Sequence, residues 1–198
     1  MTKLRHGKKV RINKATDYIT YEIVGECKMM QLVILGSGGY GHTVADVAEQ
    51  LGYTTVFLDD SIPEHPLSSF TDYISDDNCF IPAFGNNAFR LEWINKIKEE
   101  CGKLATLIHP TAYISPKASI GEGTVILPKA IVNTDVIIEK GCIINLGAIV
   151  DHGCVIEEGV HLCLGCIVKG ENRVKRLSKI EAGEVLEARC WPVNAPDQ

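Results

Sequence analysis

The sequence lacks an excess of positive charge. Lys and Arg number 20 against 25 Asp and Glu, a formal net charge of −5 over 198 residues. Binding a phosphate backbone needs a basic footprint, so nucleic acid is not an expected partner. The sequence also lacks any apolar run of roughly eighteen residues, so no membrane insertion is expected. Its first residues are basic (Lys3, Arg5, Lys8, Lys9, Arg11), but no apolar stretch follows, and they do not read as a secretory signal. Eight cysteines without an export signal read as reduced thiols of a cytoplasmic protein. A second Cys-x-x-Cys is missing too. Cys163 and Cys166 make half a zinc-type pair with no counterpart at ligand spacing, so no metal is expected. What remains, 45% hydrophobic and 23% charged, is an ordinary globular composition with room for one or two small domains.

The strongest signal present is a beat of six. From Ile108, every sixth residue is aliphatic: Ile114, Ile120, Ile126, Val132, Ile138, Ile144, Val150, Ile156, Leu162, Val168, Val174, Ile180 and Leu186. Four places after most of them stands a small residue, such as Ala112, Ala130, Cys142, Ala148, Cys154 or Cys166, and packing accounts for those three cysteines. Period six is neither the 3.6 of a helix nor the two of a lone strand. It predicts a solenoid of short strands and sharp turns, each aliphatic stacked on the one a coil below. Three hexads make a coil, so residues 108–198 are expected to form a left-handed parallel β-helix of hexapeptide repeats, about four coils with a C-terminal tail.

Residues 30–107 read as α/β. LVIL is a buried strand, Gly36-Ser37-Gly38-Gly39-Tyr40-Gly41 fits GxGxxG, a helix follows, and TTVFLDD is a second strand ending in Asp59 and Asp60. A glycine turn between strand and helix, with acids about twenty residues on, points to a nucleotide. Only a half-Rossmann-like βαβ is present, which favours a nucleotide-sugar over NAD. Residues 1–29 are a basic N-terminal extension with one strand-like alternation, DYITYEIVG, and no assigned role.

The histidines carry the chemistry. Acyl transfer to an amine or hydroxyl needs a base and a donor for the developing oxyanion. His152 falls at the third position of its hexad, where a corner projects outward, and not in the aliphatic column. Asp151, Glu157 and Glu158 are near enough in sequence to orient it. His161 lies half a coil away and so on another face of the same chain. Two such histidines meet only across an interface between copies. Lys169, Arg173, Lys175, Arg176 and Lys179 put cations on the late coils, where they are expected either to meet the phosphates of coenzyme A or to form a solvated face.

VILGSGGYGHTVADVAEQLGY, FLDD, GNNAFR and the run from LIHPTAYISP to VDHGCVIEEGVHL together resemble the sialic-acid O-acetyltransferase (NeuD/PglD-type) family. This family includes the UDP-4-amino-sugar N-acetyltransferases. The resemblance spans roughly residues 30–168 and joins both parts in order. It implies an acetyl-CoA-dependent homotrimer with active sites between adjacent β-helices and a UDP-sugar on the βαβ part. It implies His152 as general base, Asn145 near the acetyl group, and His161 and Gly165 along the thioester and pantetheine. It also implies Asp59 and Asp60 near the uridine, and Gly36, Ser37, Gly38 and Gly39 near the phosphates.

Two departures stand out. Tyr40 occupies the place of a sugar-contacting histidine, and Gly153 follows His152 where the family often has an acid. The expected activity is N-acetylation of a UDP-4-amino-dideoxy-sugar from acetyl-CoA, with His152, Asp151 and Asn145 at the chemistry and Lys169 and Arg173 at the coenzyme. O-acetylation of a sialic-acid-like sugar, a metal-dependent hydratase on the same fold, and a non-catalytic sugar-nucleotide-binding protein are the other readings.

Overall fold

The computed structural model describes residues 30–193 and, before them, the backbone of three short strands. Those strands, β1 (Lys3–Arg5), β2 (Lys8–Asn13) and β3 (Thr20–Ile23), form one antiparallel sheet in chain order. β3 lies within the alternation noted above; the rest of that stretch falls outside the described residues.

The α/β unit is a three-stranded parallel sheet, order β5-β4-β6, from β4 (Gln31–Leu35), β5 (Thr54–Leu58) and β6 (Asn78–Pro82). β4 is central and fully buried from Leu32 to Leu35, because helices cover both faces of a parallel sheet and leave no polar side. Helix α1 (Gly39–Gln50) packs Val44, Ala45, Val47 and Ala48 on the face bearing Leu32, Ile34 and Ile81. Helix α2 (Asn87–Glu99) brings Trp93 and Ile97 to the opposite face, against Val33, Leu35 and Phe80. α1 can start so close to the strand end only because position 41 is glycine: a Cβ there would lie 2.2 Å from the Gly36 carbonyl oxygen.

From β7 (Leu107–Ile108) to β20 (Val185–Leu186), fourteen two-residue strands follow at six-residue intervals. Each pairs in parallel with the strand one coil on, as in Ile126↔Ile144, Val132↔Val150 and Ile138↔Ile156, giving three flat faces. The period-six aliphatics are the inward residues of these strands. They form one continuous core together with Ala130, Cys142, Ala148, Cys154 and Cys166. This is the expected left-handed β-helix. From Gly123 on, its corners take left-handed backbone at every sixth residue; Lys129, Asp135, Glu171, Leu177 and Arg189 do so without being glycine, at roughly 1 kcal/mol or more apiece.

The outward residues distinguish the faces. The first carries Leu107, Val125 and Ile143, all buried, then half-buried His161 and exposed Lys179. Leu107 and Val125 share a core with α1 and the sheet, so the α/β unit covers the early rungs here. The second presents Tyr113, Ile131, Ile149, Ile167 and Val185 in register, apolar on every rung and fully buried on none. The third presents Ser119, Ile137, Val155 and Arg173.

Arg90 of α2 locks the two parts. It is 1% exposed, yet its partners are neutral oxygens. Nε and Nη2 donate to the carbonyls of Gly141 and Gly159 at 2.8 Å, Nη1 to that of Phe84, and Nη2 also to Asn87 Oδ1. Asn87 reaches on to the carbonyls of Leu177 and Ser178, while Leu91 and Ile94 rest on the glycine corners at 123, 141 and 159. Replacing Arg90 by Met keeps the stem but orphans the two buried carbonyls of Gly141 and Gly159, each costing about 1–3 kcal/mol, and the half-buried one of Phe84. Urea unfolding of Arg90→Met is expected to show a loss of about 3 kcal/mol or more; an unchanged midpoint would refute this account of the joint.

Candidate active site

Three groups of predicted residues fall in three places. The first is a cleft of about 400 Å³ at the carboxyl ends of the sheet strands, where open α/β sheets take ligands. Gly36, Gly38, Gly39, Tyr40 and Asp59 line one side; Phe84, Asn86 and Phe89 line the other. Backbone amides at the start of α1 border the cleft and suit an anion. Asp59 holds this turn in shape: its carboxylate accepts from the Ser37 amide at 2.7 Å and from the Ser61 amide and hydroxyl. The Ser61 hydroxyl, then the Ser37 amide, keep its pKa well below the usual carboxylate range. Ser37 thus spends its N–H on Asp59, and Asp60 spends a carboxylate oxygen on the Leu67 amide. Neither Ser37 nor Asp60 lines the cleft. The Tyr40 hydroxyl is buried without a hydrogen-bond partner, and burial pushes its pKa up.

The second place is the corner after β14 (Ile149–Val150). His152 projects from it, about half exposed (53%). Asp151 Oδ1 takes the His152 backbone N–H at 2.8 Å and lies 3.1 Å from ring Nδ1. Asn133, one coil below, donates to the same oxygen at 2.9 Å. The backbone bond from His152 contributes most to holding the Asp151 pKa down. An ionised carboxylate at Nδ1 selects the Nδ1–H tautomer and leaves the Nε2 lone pair unprotonated. The ring lies flat on Gly170, one coil above, where a Cβ would come within 2.7 Å of Cε1 and 3.0 Å of Nε2. Of the acids considered for orienting this ring, Asp151 is in place. Glu157 instead binds Arg173 and the Arg176 amide, and Glu158 pairs with Lys140 and Arg176.

The third place is the corner before β14. Asn145 Oδ1 accepts the Leu146 amide, and its Nδ2 lies 3.1 Å from Nε2 of His161, the outward residue of β16 (His161–Leu162). His161 Nδ1 is buried with no partner. Burial first, then the charges of Arg90 and Lys179, push the His161 pKa down to about 4, so the ring is neutral and accepts from the amide. Gly165 lies on this same edge of the prism, above Gly147 and below Gly183. All three have open space where a side chain would be, and exposed Leu146 and Leu164 flank them.

One chain therefore joins Asn145 to His161 and His152 to Asp151, but sets the two pairs at opposite edges of the apolar second face. Lys169 and Arg173 lie on the late coils with carboxylates of their own, Glu187 at 2.6 Å and Glu157 at 2.9 Å. Among the described residues, no three His, Cys, Asp or Glu side chains gather at metal-binding distance. Sequence reasoning missed Asn133 and Gly170, whose signal is the register of eighteen, and Phe84, whose signal is the end of the third strand; it met Asn86 and Phe89 within GNNAFR but gave them no role.

Residues 31–97 match the family described as the PglD N-terminal domain. The UDP-N-acetylbacillosamine N-acetyltransferase of Bacillus subtilis (strain 168) is 31% identical over 112 residues, which are 50% of this chain and 52% of that protein. The match thus spans about half the length of that curated relative. The acetyltransferase domain of PglB from Neisseria gonorrhoeae FA1090, solved in complex with acetyl coenzyme A, is 34% identical with a TM-score of 0.73, covering 79% of this chain and 82% of that one. A perosamine N-acetyltransferase from Caulobacter crescentus, solved with CoA and GDP-perosamine, shares the fold at 23% identity and a TM-score of 0.69, covering 80% and 89%.

The neutral state of His161 has a consequence for acid stability. Its folded pKa of about 4 lies below the ordinary 6.5, so between those values the unfolded chain binds the proton more readily. The stability that depends on a neutral His161 is whole above about 6.5 and is lost as the pH falls toward about 4. The variant His161→Gln is expected to lose stability less steeply across that window in urea titrations; an unaltered slope would contradict the burial described for this ring.

Proposed function

We propose that this chain, which belongs to the NeuD/PglD-type family of hexapeptide-repeat acetyltransferases, moves the acetyl group of acetyl-CoA to the amino group of a UDP-4-amino-dideoxy-sugar. The observation that carries this reading is His152, an outward imidazole with Asp151 on Nδ1 and Nε2 left as a base. The amine attacks the thioester carbonyl directly while Nε2 takes its proton. The tetrahedral oxyanion is steadied by the second Asn145 N–H and by backbone amides, while neutral His161 accepts the first Asn145 N–H and so holds that amide in place. Collapse expels the thiolate of CoA, which takes the proton back from the imidazolium, so no acyl-enzyme is needed.

The donor fits the edge marked by Gly147, Gly165 and Gly183, a track without side chains between Leu146 and Leu164 that suits an extended pantetheine. Acetyl-CoA bound to the Neisseria relative supports the same donor here, and the name of the Bacillus relative supports a UDP-amino-sugar acceptor. The cleft at the start of α1 supplies amides for its diphosphate. A homotrimer is supported by the second face, whose five apolar rungs are none of them fully buried among the described residues. Three copies packed around it would bring the His152 edge of one chain to the Asn145–His161 edge of the next. Both substrates point to a cytoplasmic setting.

The test is mass spectrometry of reactions holding the protein, acetyl-CoA and a panel of UDP-4-amino-sugars. One acetyl group gained on a UDP-sugar, and lost with His152→Ala, is the expected result. Acetylation of a hydroxyl sugar alone, or no transfer to any amine while the sugars still bind, would overturn the N-acetyl reading. Gly170→Ala is expected to keep the fold, because the corner there is not left-handed. It should still cut turnover by about tenfold or more, the equivalent of about 1.4 kcal/mol in the barrier, since the new methyl displaces the imidazole. Full activity in Gly170→Ala would show that the ring pose on Gly170 is not the working one.

A further inference from the structure

We propose that Glu171, tethered by Arg189, is a second positioning carboxylate for His152, one coil above the turn that carries the ring. The proposal rests on the reading of His152 as the base and adds what the sequence next to it does not supply. The corner stack at this edge runs Asp135, Gly153, Glu171, Arg189, each one coil above the last and all with left-handed backbone. Gly153 offers no side chain beside the imidazole, and the space is filled from above. Glu171 Cγ lies 3.5 Å from where a Gly153 Cβ would be, and Glu171 Oε1 lies 4.0 Å from His152 Nε2. The two corners are also joined through the backbone, the Glu171 amide donating to the His152 carbonyl at 3.0 Å.

The distance of 4.0 Å is the informative quantity. It is too long for a hydrogen bond, so Nε2 stays available to the amine. It is short enough for the carboxylate to favour the imidazolium that forms once the proton arrives. Arg189 sets that distance: its guanidinium makes two hydrogen bonds to the Glu171 carboxylate, and the one on Oε1, at 3.1 Å, draws off the oxygen nearest the ring. The Arg189 hydrogen bond is also the main reason that the Glu171 pKa lies below its ordinary value. Glu171 and Arg189 both hold left-handed φ, 60° and 57°, where glycine would sit without strain. The charged groups that face the imidazole are thus Asp151 from its own turn, Glu171 from the coil above, and Arg189 behind Glu171.

The experiment measures the His152 ring itself, so it does not depend on finding the acceptor. Wild type, Glu171→Gln, Glu171→Asp and Arg189→Gln are treated with diethyl pyrocarbonate at one neutral pH, and the rate of modification at His152 is followed by peptide mass spectrometry. Without the carboxylate the contact 4.0 Å from Nε2 is gone, so Glu171→Gln is expected to label faster by about threefold, the size of one partly exposed charge contact. Without its tether the carboxylate closes on Nε2, so Arg189→Gln is expected to label more slowly by a similar factor. Glu171→Asp, which keeps the charge, stays nearer wild type. Equal labelling in Glu171→Gln, or the same direction of change in both charge-removing variants, overturns the proposal. With an acceptor in hand, Glu171→Gln should lower kcat with KM unchanged. Wild type that transfers no acetyl group but shows the opposed labelling pattern refutes the function proposed for His152 and leaves the role of Glu171 on the ring standing. Active wild type with flat labelling does the reverse.

Discussion

The joint between the α/β unit and the solenoid depends on one buried cation that has no counter-ion among the described residues. Arg90 sits in a place where a guanidinium should be costly, and it is accommodated because carbonyl oxygens from α2, its preceding loop and two β-helix corners converge on it. A carboxylate would need only one neighbour to reach the arginine; a shell of neutral carbonyls needs three chain segments in register at once. The contact therefore specifies the mutual placement of the α/β unit and the solenoid more stringently than apolar packing against Gly141 and Gly159 would. The same joint covers the first face up to Ile143 and leaves His161 as the first rung that is only half-buried. The Arg90 charge also helps to keep that ring neutral.

The solenoid converts sequence distance into spatial adjacency at a fixed exchange of eighteen. Asn133, Asp151 and Lys169 share one corner column; His152 and Gly170 share the next; Gly153, Glu171 and Arg189 share the third. Each column is one side chain wide, so whatever stands at a corner is felt directly by the coil above. A small residue at 170 leaves the imidazole room beneath the coil above, and a long acid at 171 fills the space beside the bare corner at 153. The strained corners fall at the two ends of the stack, Lys129 and Asp135 early and Glu171, Leu177 and Arg189 late, with glycine between. At the late end the backbone cost falls beside the candidate base at Glu171 and Arg189.

Legibility from sequence followed the same geometry. The period-six aliphatics disclosed the β-helix because every inward side chain obeys one rule, and the strand-turn-helix punctuation around Gly36–Gly41 disclosed the α/β unit. His152 and Asp151 were legible because a histidine outside the aliphatic column needs a reason and its partner is adjacent. Glu157 and Glu158 drew attention by closeness in sequence, yet closeness within a coil means another face; besides adjacent Asp151, the acid that comes near the ring is Glu171, a coil further on. Arg90 closes the GNNAFR stretch that helped to carry the resemblance, yet nothing in that stretch signals burial, since a lone arginine on a helix reads as solvent-facing. Lys169 and Arg173 read as free cations because their carboxylates, Glu187 and Glu157, are again a coil distant.

That exchange rate also governs how such a chain can diverge. Loss or gain of one residue between 107 and 186 would turn every later aliphatic out of the core, whereas loss or gain of one whole coil would keep the core intact and change only which corners are stacked. A duplicated coil after Lys169 would leave His152 and Asp151 untouched in sequence while giving the imidazole a new ceiling and a new neighbour in place of Glu171. Lineages built this way can retune a base without altering it, by editing the storey above.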